Sequence, residues 1–416
     1  MNLLLQKISI SSPPSVIKIA GSKSETNRLL LLQALYPELK IENISNSDDS
    51  EVMQKALQSN KKECHTDLVD VHHAGTAMRF LAAFFAIQEG KEVILTGSSR
   101  MKERPIQILV DALRQLGANI EYVENEGFPP LRISGKKITH NNVSLAANVS
   151  SQYISALLLM APKLENGLEL TLEGEITSVP YIKMTLALLH EIGVKTSFKN
   201  NIISVSPQLI TYNSQLITVE SDWSSASYWY SIIALSAIGT KITLSSYKEN
   251  SLQGDAALVE MYKNFGVETA FNGNESISIS KKNNNHPSSI IQQLNDSPDL
   301  AQTIAVTCFG LGMGCQLSGL QTLKIKETDR LQALKNELEK LGATVMITDD
   351  SLQLEPSSFI RENVTIETYQ DHRMAMAFAP LALKTNIIIE EAEVVSKSYP
   401  NFWTDLKAMG FHISEI

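Results

Sequence analysis

Cysteine is the first scarcity. The 416 residues hold three, Cys64, Cys308 and Cys315, and none falls in a Cys-x-x-Cys pair. Three are too few for a disulfide framework, which is the usage of a reduced cytoplasmic enzyme. Long apolar runs are missing too: none approaches the roughly 18 residues that cross a bilayer. Leu3-Leu4-Leu5 gives way to Gln6-Lys7 before a signal-peptide core could form. A cytoplasmic location with no membrane partner is therefore expected. Positive charge is in deficit, with 36 Lys and Arg against 45 Asp and Glu and a formal net charge of -9. That balance argues against nucleic acid or an anionic membrane over most of the surface, so any anion site must be a local cluster of cations. Neither Gly-x-Ser-x-Gly nor a Cys-His pattern is present to support covalent catalysis. His65, His72 and His73 lie close together, but their spacing is neither His-x-x-x-His nor part of a Cys/His set, and no metal is expected. What is present is ample apolar content, 43% over this length. It can bury substantial cores in two or three domains.

One signature recurs along the chain: an amphipathic helix, a glycine at its end, a strand, a polar turn and a second strand. It closes at Gly117, Gly193, Gly266, Gly342 and Gly410, at intervals of 68 to 76 residues. Glycine supplies the left-handed residue that ends a helix, and the Asn200-Asn201 and Asn272-Gly273 turns suit hairpins. A first copy is expected to end near Asn60 without the glycine. A second series interleaves with the first, in which small or polar residues open a helix rich in alanine and apolar residues with hardly a charge. Its members begin near Ser24, Gly75, Ser150, Ser224, Asp299 and Asp371. Helices apolar on all sides are buried. Six buried helices alternating with six exposed ones and short strands predict an α/β chain of six similar units, three per domain if the whole has two-fold pseudo-symmetry.

The N-termini of the buried helices carry Lys, Ser, Gln, Asp or Arg where a cap alone would serve, and an unpartnered buried polar group costs on the order of 1–3 kcal/mol. They are expected to face a shared cleft, with several positive dipole ends converging on an anion. Gly21-Ser22-Lys23-Ser24-Glu25-Thr26-Asn27-Arg28 shows the pattern in outline: a short strand at 16–19, a turn, serines that can cap, and two cations. It is not a Walker loop. The same residues also describe an ordinary capped helix with solvated basic side chains, and taken alone the stretch does not separate the two. Arg100-Met101-Lys102-Glu103-Arg104-Pro105 sets three cations ahead of a helix whose first turn Pro105 would suit. Lys324-Ile325-Lys326-Glu327-Thr328-Asp329-Arg330 does likewise, and on a helix Lys326 and Arg330 would share one face with Glu327 beside them. Either run alone also fits a solvated charged face. Lys397 offers a further cation on a loop, and His372 is expected to fix a helix start.

In this order, Gly21-Ser22-Lys23-Ser24, Ala74-Gly75-Thr76-Ala77-Met78-Arg79, Arg100-Met101-Lys102-Glu103-Arg104-Pro105, Ser150-Ser151-Gln152, Lys326-Glu327-Thr328-Asp329-Arg330-Leu331 and Asp371-His372-Arg373-Met374-Ala375-Met376 resemble the 5-enolpyruvylshikimate-3-phosphate (EPSP) synthases, or 3-phosphoshikimate 1-carboxyvinyltransferases. The resemblance covers nearly the whole chain. It implies a two-domain inside-out α/β barrel, each domain of three βαβαββ-type units, with the active site in the cleft between them. Residues 1–20 and 221–416 would form the phosphoenolpyruvate-side domain and 21–220 the shikimate 3-phosphate-side domain. Carried over by motif, Lys23, Ser24, Arg28, Ser150, Ser151, Gln152, Ser178, Tyr181, Asp299 and Lys326 would hold shikimate 3-phosphate. Lys23, Gly75, Arg104, Gln152, Arg330, Arg373 and Lys397 would hold phosphoenolpyruvate. The sequence departs from the commonest family pattern at His73 and Thr322, where Asn is usual, and at Phe80, where Pro is frequent.

The implied reaction adds the 5-hydroxyl of shikimate 3-phosphate to C2 of phosphoenolpyruvate, protonates C3 and expels phosphate, in the pathway to chorismate and the aromatic amino acids. Asp299 would serve the 5-hydroxyl, and Glu327 with Lys23 the proton transfers. No cofactor or metal is implied. The expected partners are the two small substrates, with no nucleic acid and no membrane, and the expected state is a monomer. Glyphosate would bind the phosphoenolpyruvate pocket, as in sensitive members. The nearest rival is the UDP-N-acetylglucosamine enolpyruvyl transferase family, which shares the fold but carries a reactive cysteine on the loop corresponding to residues 98–104, where this chain has none. A non-catalytic anion-binding protein of the same fold would need the cations but not Asp299 and Glu327.

Overall fold

The computed structural model describes residues 1–10, 16–59, 67–147, 150–174, 176, 178–208 and 215–416. The chain forms two compact units, one of Met1–Gly21 with Glu220–Ile416 and one of Ser22–Val219. In the first, the helices Trp223–Leu235, Ala301–Leu311 and His372–Phe378 pack on one another at the centre. Almost every residue in them is buried, as helices that are apolar on nearly every side require. Three four-stranded sheets surround them. Each sheet is built alike: a parallel pair, bridged in two of the three sheets by a central helix of this unit, then two antiparallel strands. Ser289–Gln293 pairs in parallel with Gly314–Ser318, which pairs antiparallel with Ser351–Leu354, which closes on Val345–Ile347. The helix Arg330–Lys340 covers the outside, and Gly342, at φ 102°, turns the chain from that helix into the hairpin.

The second unit repeats this plan, with the central helices Lys23–Leu35, Gly75–Ala86 and Ser151–Met160. Strand Asp67–Asp70 pairs in parallel with Glu92–Thr96, and Asn142–Ala146 with Leu168–Glu173, each followed by a hairpin. Its third sheet pairs Lys40–Glu42 with Leu216–Thr218. The inside-out α/β arrangement with repeated βαβαββ units is thus observed.

The chain ends are woven into the first unit. Leu3–Leu5 lies between Ile387–Ile389 and Ile413–Glu415, antiparallel to both, and so supplies the last strand of the sixth repeat. Val16–Ile17 pairs with Lys241–Ser245, although the helix that follows it belongs to the other unit. The expected strand at 16–19 is therefore two residues long. Gly21 and Ser221 pair as an isolated antiparallel bridge where the chain passes between units, and Ser221 Oγ donates to Ile19 O at 2.6 Å.

Other local readings shift. The amphipathic helix expected ahead of Gly266 is an α-helical turn, Leu258–Met261, followed by the 3-10 turn Tyr262–Phe265. Pro105 lies ahead of the helix rather than in its first turn: Ile106 is the cap and the helix is Gln107–Gln115. The basic stretch before it contains a short helix of its own, Ser99–Lys102, capped by Ser98. The expected end of the first copy near Asn60 lies outside the described residues, as do Cys64 and His65. Cys308 and Cys315 are buried, and no helix among the described residues is long and apolar enough to cross a membrane.

Close packing of the central helices rests at one point on a missing side chain. A methyl group at Gly310 would sit 2.7 Å from Leu235 Cδ2 and 2.9 Å from Leu381 Cδ2. Gly310→Ala should cost about 1–3 kcal/mol by overpacking and lower the thermal midpoint by several degrees in calorimetry. An unchanged or raised midpoint would show that the leucines yield freely.

Candidate active site

In the first unit several of the expected site residues lie at the N-terminal ends of the central helices. Asp299 sits on the 3-10 turn Pro298–Leu300 that leads into Ala301–Leu311. Asp371 caps His372–Phe378, accepting from Arg373 N at 2.8 Å. The cap is the aspartate and not His372, whose ring is buried behind it. Arg330 ties these ends together. Its Nε donates to Asp371 Oδ2 at 2.6 Å, Nη1 to Asp299 Oδ1 at 2.9 Å and Nη2 to Glu327 Oε2 at 2.6 Å, with only 2% of the side chain exposed. Burial works against its charge, but Asp371, Glu327 and Asp299 outweigh that and hold the guanidinium more firmly charged than usual.

Asp299 is shared by three cations. Besides Arg330, Arg373 Nη2 donates to its Oδ2 at 2.9 Å and Lys326 Nζ lies 3.6 Å from Oδ1. Burial pushes its carboxyl up, yet Arg373, Lys326 and Arg330 together hold it well below the usual carboxylate range. Lys326 has its ammonium lowered: Asp299 favours its charge, but burial, Arg330 and Arg373 oppose it.

The expectation of a helix through Lys326, Glu327 and Arg330 is corrected. Asp329 caps at 3.1 Å to Gln332 N, so the helix begins at Arg330. Lys326 and Glu327 lie on the bends ahead of it, and the two reach Arg330 and Asp299 through chain reversal rather than helical spacing. Lys397 ends the 3-10 turn Ala392–Lys397 rather than lying on a loop, and its Nζ donates to Gln370 O at 2.7 Å. Thr322, one of the departures from the family pattern, has a buried hydroxyl oxygen with no hydrogen-bond partner among the described residues.

The second unit assembles a different set. Ser22 caps Lys23–Leu35, and Lys23 Nζ lies 3.7 Å from Asp49 Oδ2. Ser24 is half-buried beside it. Arg28 is locked by neutral acceptors: Thr185 Oγ1 at 2.8 Å, Ser24 O at 2.7 Å, Ser155 Oγ at 2.9 Å and Tyr181 O at 3.5 Å. Its guanidinium also stacks on Phe80 at 5.4 Å and Tyr181 at 5.8 Å, so the unusual Phe80 forms a wall behind that arginine. Burial lowers Arg28 to about 10, and Tyr181 and Glu25 only partly oppose this.

Gly75 opens the second central helix with no side-chain cap. Arg104 lies over it: a methyl group on Gly75 would stand 2.7 Å from Arg104 Nη1. Arg104 Nε is buried with no hydrogen-bond partner among the described residues. Arg79 fixes this corner, donating to Gly75 O at 3.1 Å and Pro105 O at 3.2 Å. His73 Nδ1 pairs with Ser98 Oγ at 2.9 Å.

At the third helix Ser150 caps, with Ser151 as its first residue, and Gln152 Nε2 donates to Thr76 Oγ1 at 3.2 Å. Ser178 holds a left-handed conformation, φ 55° and ψ 40°, at the start of Val179–Glu191, which carries Tyr181. A non-glycine residue there is under backbone strain of the kind found at ligand sites.

Each unit therefore collects the expected residues that belong to it. Asp299, Lys326, Glu327, Arg330 and Arg373 form one cluster, with Lys397 held separately by the Gln370 carbonyl. Gly75 with Arg104, Gln152 with Thr76, and Arg28 with Ser24 and Tyr181 form close pairs in the other. Sequence reasoning gave no role to Asp49, Arg79, Asp255 or Asp371. Asp371, directly ahead of an apolar helix, carried a readable capping signal; the others are recruited by tertiary contacts.

Arg330 donates to three acids at once, and Asp371 beside it is fully buried, so removing the guanidinium strands buried negative charge. Arg330→Ala should destabilise the chain by roughly 3–5 kcal/mol, measured by urea unfolding at pH 7. A loss below about 1 kcal/mol, the range of exposed ion pairs, would mean that the acids find other partners.

The family model described as EPSP synthase (3-phosphoshikimate 1-carboxyvinyltransferase) matches residues 38–406. A 3-phosphoshikimate 1-carboxyvinyltransferase of Bacteroides fragilis is 46% identical over 412 residues, covering 97% of this chain and 98% of the relative. One from Haemophilus influenzae is 36% identical over 428 residues, covering 96% and 97%. Among solved structures, an EPSP synthase from Acinetobacter baumannii superposes with a TM-score of 0.78 at 21% identity, covering 100% of both chains.

Proposed function

The chain belongs to the EPSP synthase family, and from that membership we propose that it transfers the enolpyruvyl group of phosphoenolpyruvate to the 5-hydroxyl of shikimate 3-phosphate, releasing phosphate. The observation that carries the reading is similarity over nearly the full length joined to a retained acid cluster, Asp299 and Glu327, held by three cations. A protein that only captured anions would gain nothing from carboxylates beside its arginines.

In this reading the unit of residues 22–219 takes shikimate 3-phosphate through Ser24, Arg28, Ser150, Ser151, Gln152, Ser178 and Tyr181, and Lys23, Gly75, Arg104 and Gln152 face phosphoenolpyruvate. The other unit brings Arg330, Arg373 and Lys397 to phosphoenolpyruvate, with Lys326 and Asp299 reaching shikimate 3-phosphate. Orientation of the two substrates and electrostatic stabilisation of the developing charge supply most of the acceleration.

Asp299 accepts a hydrogen bond from the 5-hydroxyl and orients it. In the free protein it is a weak base, because three cations depress it. Substrate phosphate and carboxylate groups offset those cations, and its basicity then rises as the hydroxyl attacks C2. Glu327 and Lys23 serve the proton transfers at C3 and at the departing phosphate. Arg330 spends three of its five donors on Asp371, Asp299 and Glu327, which leaves two N–H groups for phosphoenolpyruvate. A single-chain monomer in the cytoplasm fits this reading.

The direct test is release of inorganic phosphate from phosphoenolpyruvate with and without shikimate 3-phosphate. Release that depends on both substrates is expected, and release with UDP-N-acetylglucosamine instead would overturn the assignment. Glu327→Gln and Asp299→Asn should lower kcat about 100-fold or more with smaller changes in KM. Near-normal turnover in both would place the proton carriers elsewhere.

Gly75→Ala should act through Arg104, because the new methyl meets that guanidinium first. Phosphoenolpyruvate KM is expected to rise, and glyphosate inhibition to weaken by a larger factor. Equal effects on both would mean that the methyl does not discriminate between substrate and inhibitor, and no effect on either that Arg104 moves aside without consequence.

A further inference from the structure

We propose that Asp255 is a positioning residue for Arg373, acting through the hydroxyl of Ser224, and that its charge sets how firmly that arginine holds an anion. The inference rests on the enolpyruvyl-transfer reading for the identity of the anion and on geometry for the rest. Asp255 sits on the 3-10 turn Gly254–Ala257 and is 3% exposed. Its Oδ2 accepts a short hydrogen bond from Ser224 Oγ. The same Oγ accepts from Arg373 Nη2 at 3.3 Å, and that Nη2 also donates to Asp299 Oδ2 at 2.9 Å. A serine hydroxyl has one proton, so donation to Asp255 leaves its lone pairs toward Arg373. One edge of the guanidinium is thereby shared by two acids, Asp299 directly and Asp255 through a hydroxyl.

Both ends of this relay are fixed. Ser224 is in the first turn of Trp223–Leu235, where Asp222 caps by accepting from Ser225 N at 2.7 Å. Gln253 binds the same helix start, accepting from Trp223 N at 2.9 Å and donating to Ser221 O at 2.9 Å. The turn that carries Asp255 cannot drift from the helix that carries Ser224.

The charged groups facing Asp255 are Asp299 and Asp222, which repel its charge, and Arg373, which attracts it. Its other oxygen, Oδ1, is buried with no hydrogen-bond partner among the described residues. Burial first and Asp299 second push its carboxyl up to about 7, against Arg373 and the Ser224 hydrogen bond. Below that pH Asp255 is neutral, Oδ2 still accepts from Ser224, and Arg373 is offset by Asp299 alone. Above it a second negative charge stands behind Arg373 and competes with the ligand. Anion affinity should therefore fall as pH rises through this range, and by reciprocity a bound anion favours the protonated acid.

The experiment compares the full-length chain with Asp255→Asn and Ser224→Ala at pH 6 and pH 8.5, after thermal melts confirm folding. Phosphoenolpyruvate affinity is read from KM at saturating shikimate 3-phosphate, and by calorimetry with phosphoenolpyruvate alone so that the comparison does not depend on turnover. The ratio of wild-type to Asp255→Asn KM should rise 3- to 10-fold from pH 6 to pH 8.5, with kcat moving much less. The ligand's own titration cancels in that ratio. Ser224→Ala should raise phosphoenolpyruvate KM several-fold at both pH values with shikimate 3-phosphate KM unchanged. A ratio constant across the pH range, or Ser224→Ala with normal phosphoenolpyruvate affinity, overturns the proposal. Wild-type chain that binds phosphoenolpyruvate but releases no phosphate would instead count against the enolpyruvyl-transfer reading and leave the pH ratio to be read by calorimetry.

Discussion

The forked contact of Arg330 with Asp299, Glu327 and Asp371 is the interaction on which the first unit's site depends. Three acids from three separate segments meet on one buried guanidinium, and two of those segments open central helices. Such a pair gains little net stability over well-packed apolar residues, because desolvation consumes most of the attraction. Its consequence is geometric. With five N–H donors in a fixed plane, arginine sets the angles between its partners as well as their distances. Lysine could not hold the same three carboxylates.

The second unit solves the opposite problem. Its most buried site cation, Arg28, donates to two hydroxyl and two carbonyl oxygens, and these acceptors fix the side chain without cancelling its charge. The price appears as the drop in its proton affinity to about 10, which still leaves it fully charged at neutral pH. One unit thus carries cations paired with acids, suited to moving protons, and the other carries a cation whose field is intact, suited to capturing phosphate. In a chain of net charge -9 the contrast is one of direct contact: Arg28 is held by neutral oxygens with Glu25 acting on it only at a distance, whereas Arg330 and Arg373 donate directly to carboxylates.

Much of the architecture was legible in the sequence because it rests on local chemistry. Gly117, Gly193, Gly266, Gly342 and Gly410 all take positive φ at helix ends, so the repeat could be counted from them. The six central helices are buried because their bodies are apolar on all sides, and the few charges they carry, such as Arg28, Arg79 and Arg373, lie in their first two turns. Errors arose where a nearer signal was outweighed. Pro105 suits the first turn of a helix, yet the helix waits for Ile106 and Gln107. Lys326, Glu327 and Arg330 have helical spacing, but Asp329 is the stronger start signal and sets the boundary after them. The grouping of Lys326 with Arg330 was right in outcome and wrong in cause, since both converge on Asp299 from different backbone conformations. Asp255 could not have been found this way: it lies more than forty residues from Asp299 in sequence, in a short turn with no capping or periodic signal, and only the fold sets it against Ser224.

The path of the chain constrains how this site is assembled. The Ser22–Val219 unit is contiguous, and its parallel pairs at 67–96 and 142–173 are each closed by one intervening helix. The other unit is completed only when Leu3–Leu5 inserts between Ile387–Ile389 and Ile413–Glu415, pairings that span nearly the whole chain. Contacts of such separation form late, because loop closure must precede them. Strand Val16–Ile17 must likewise wait for Lys241–Ser245. The surroundings of Arg28 lie within the contiguous unit, whereas the partners of Arg330 come from three segments between residues 299 and 371 of the unit that the N-terminal strands complete. Asp299, Glu327 and Asp371 would be costly to bury without a partner, so their burial depends on the fold that brings Arg330 to all three.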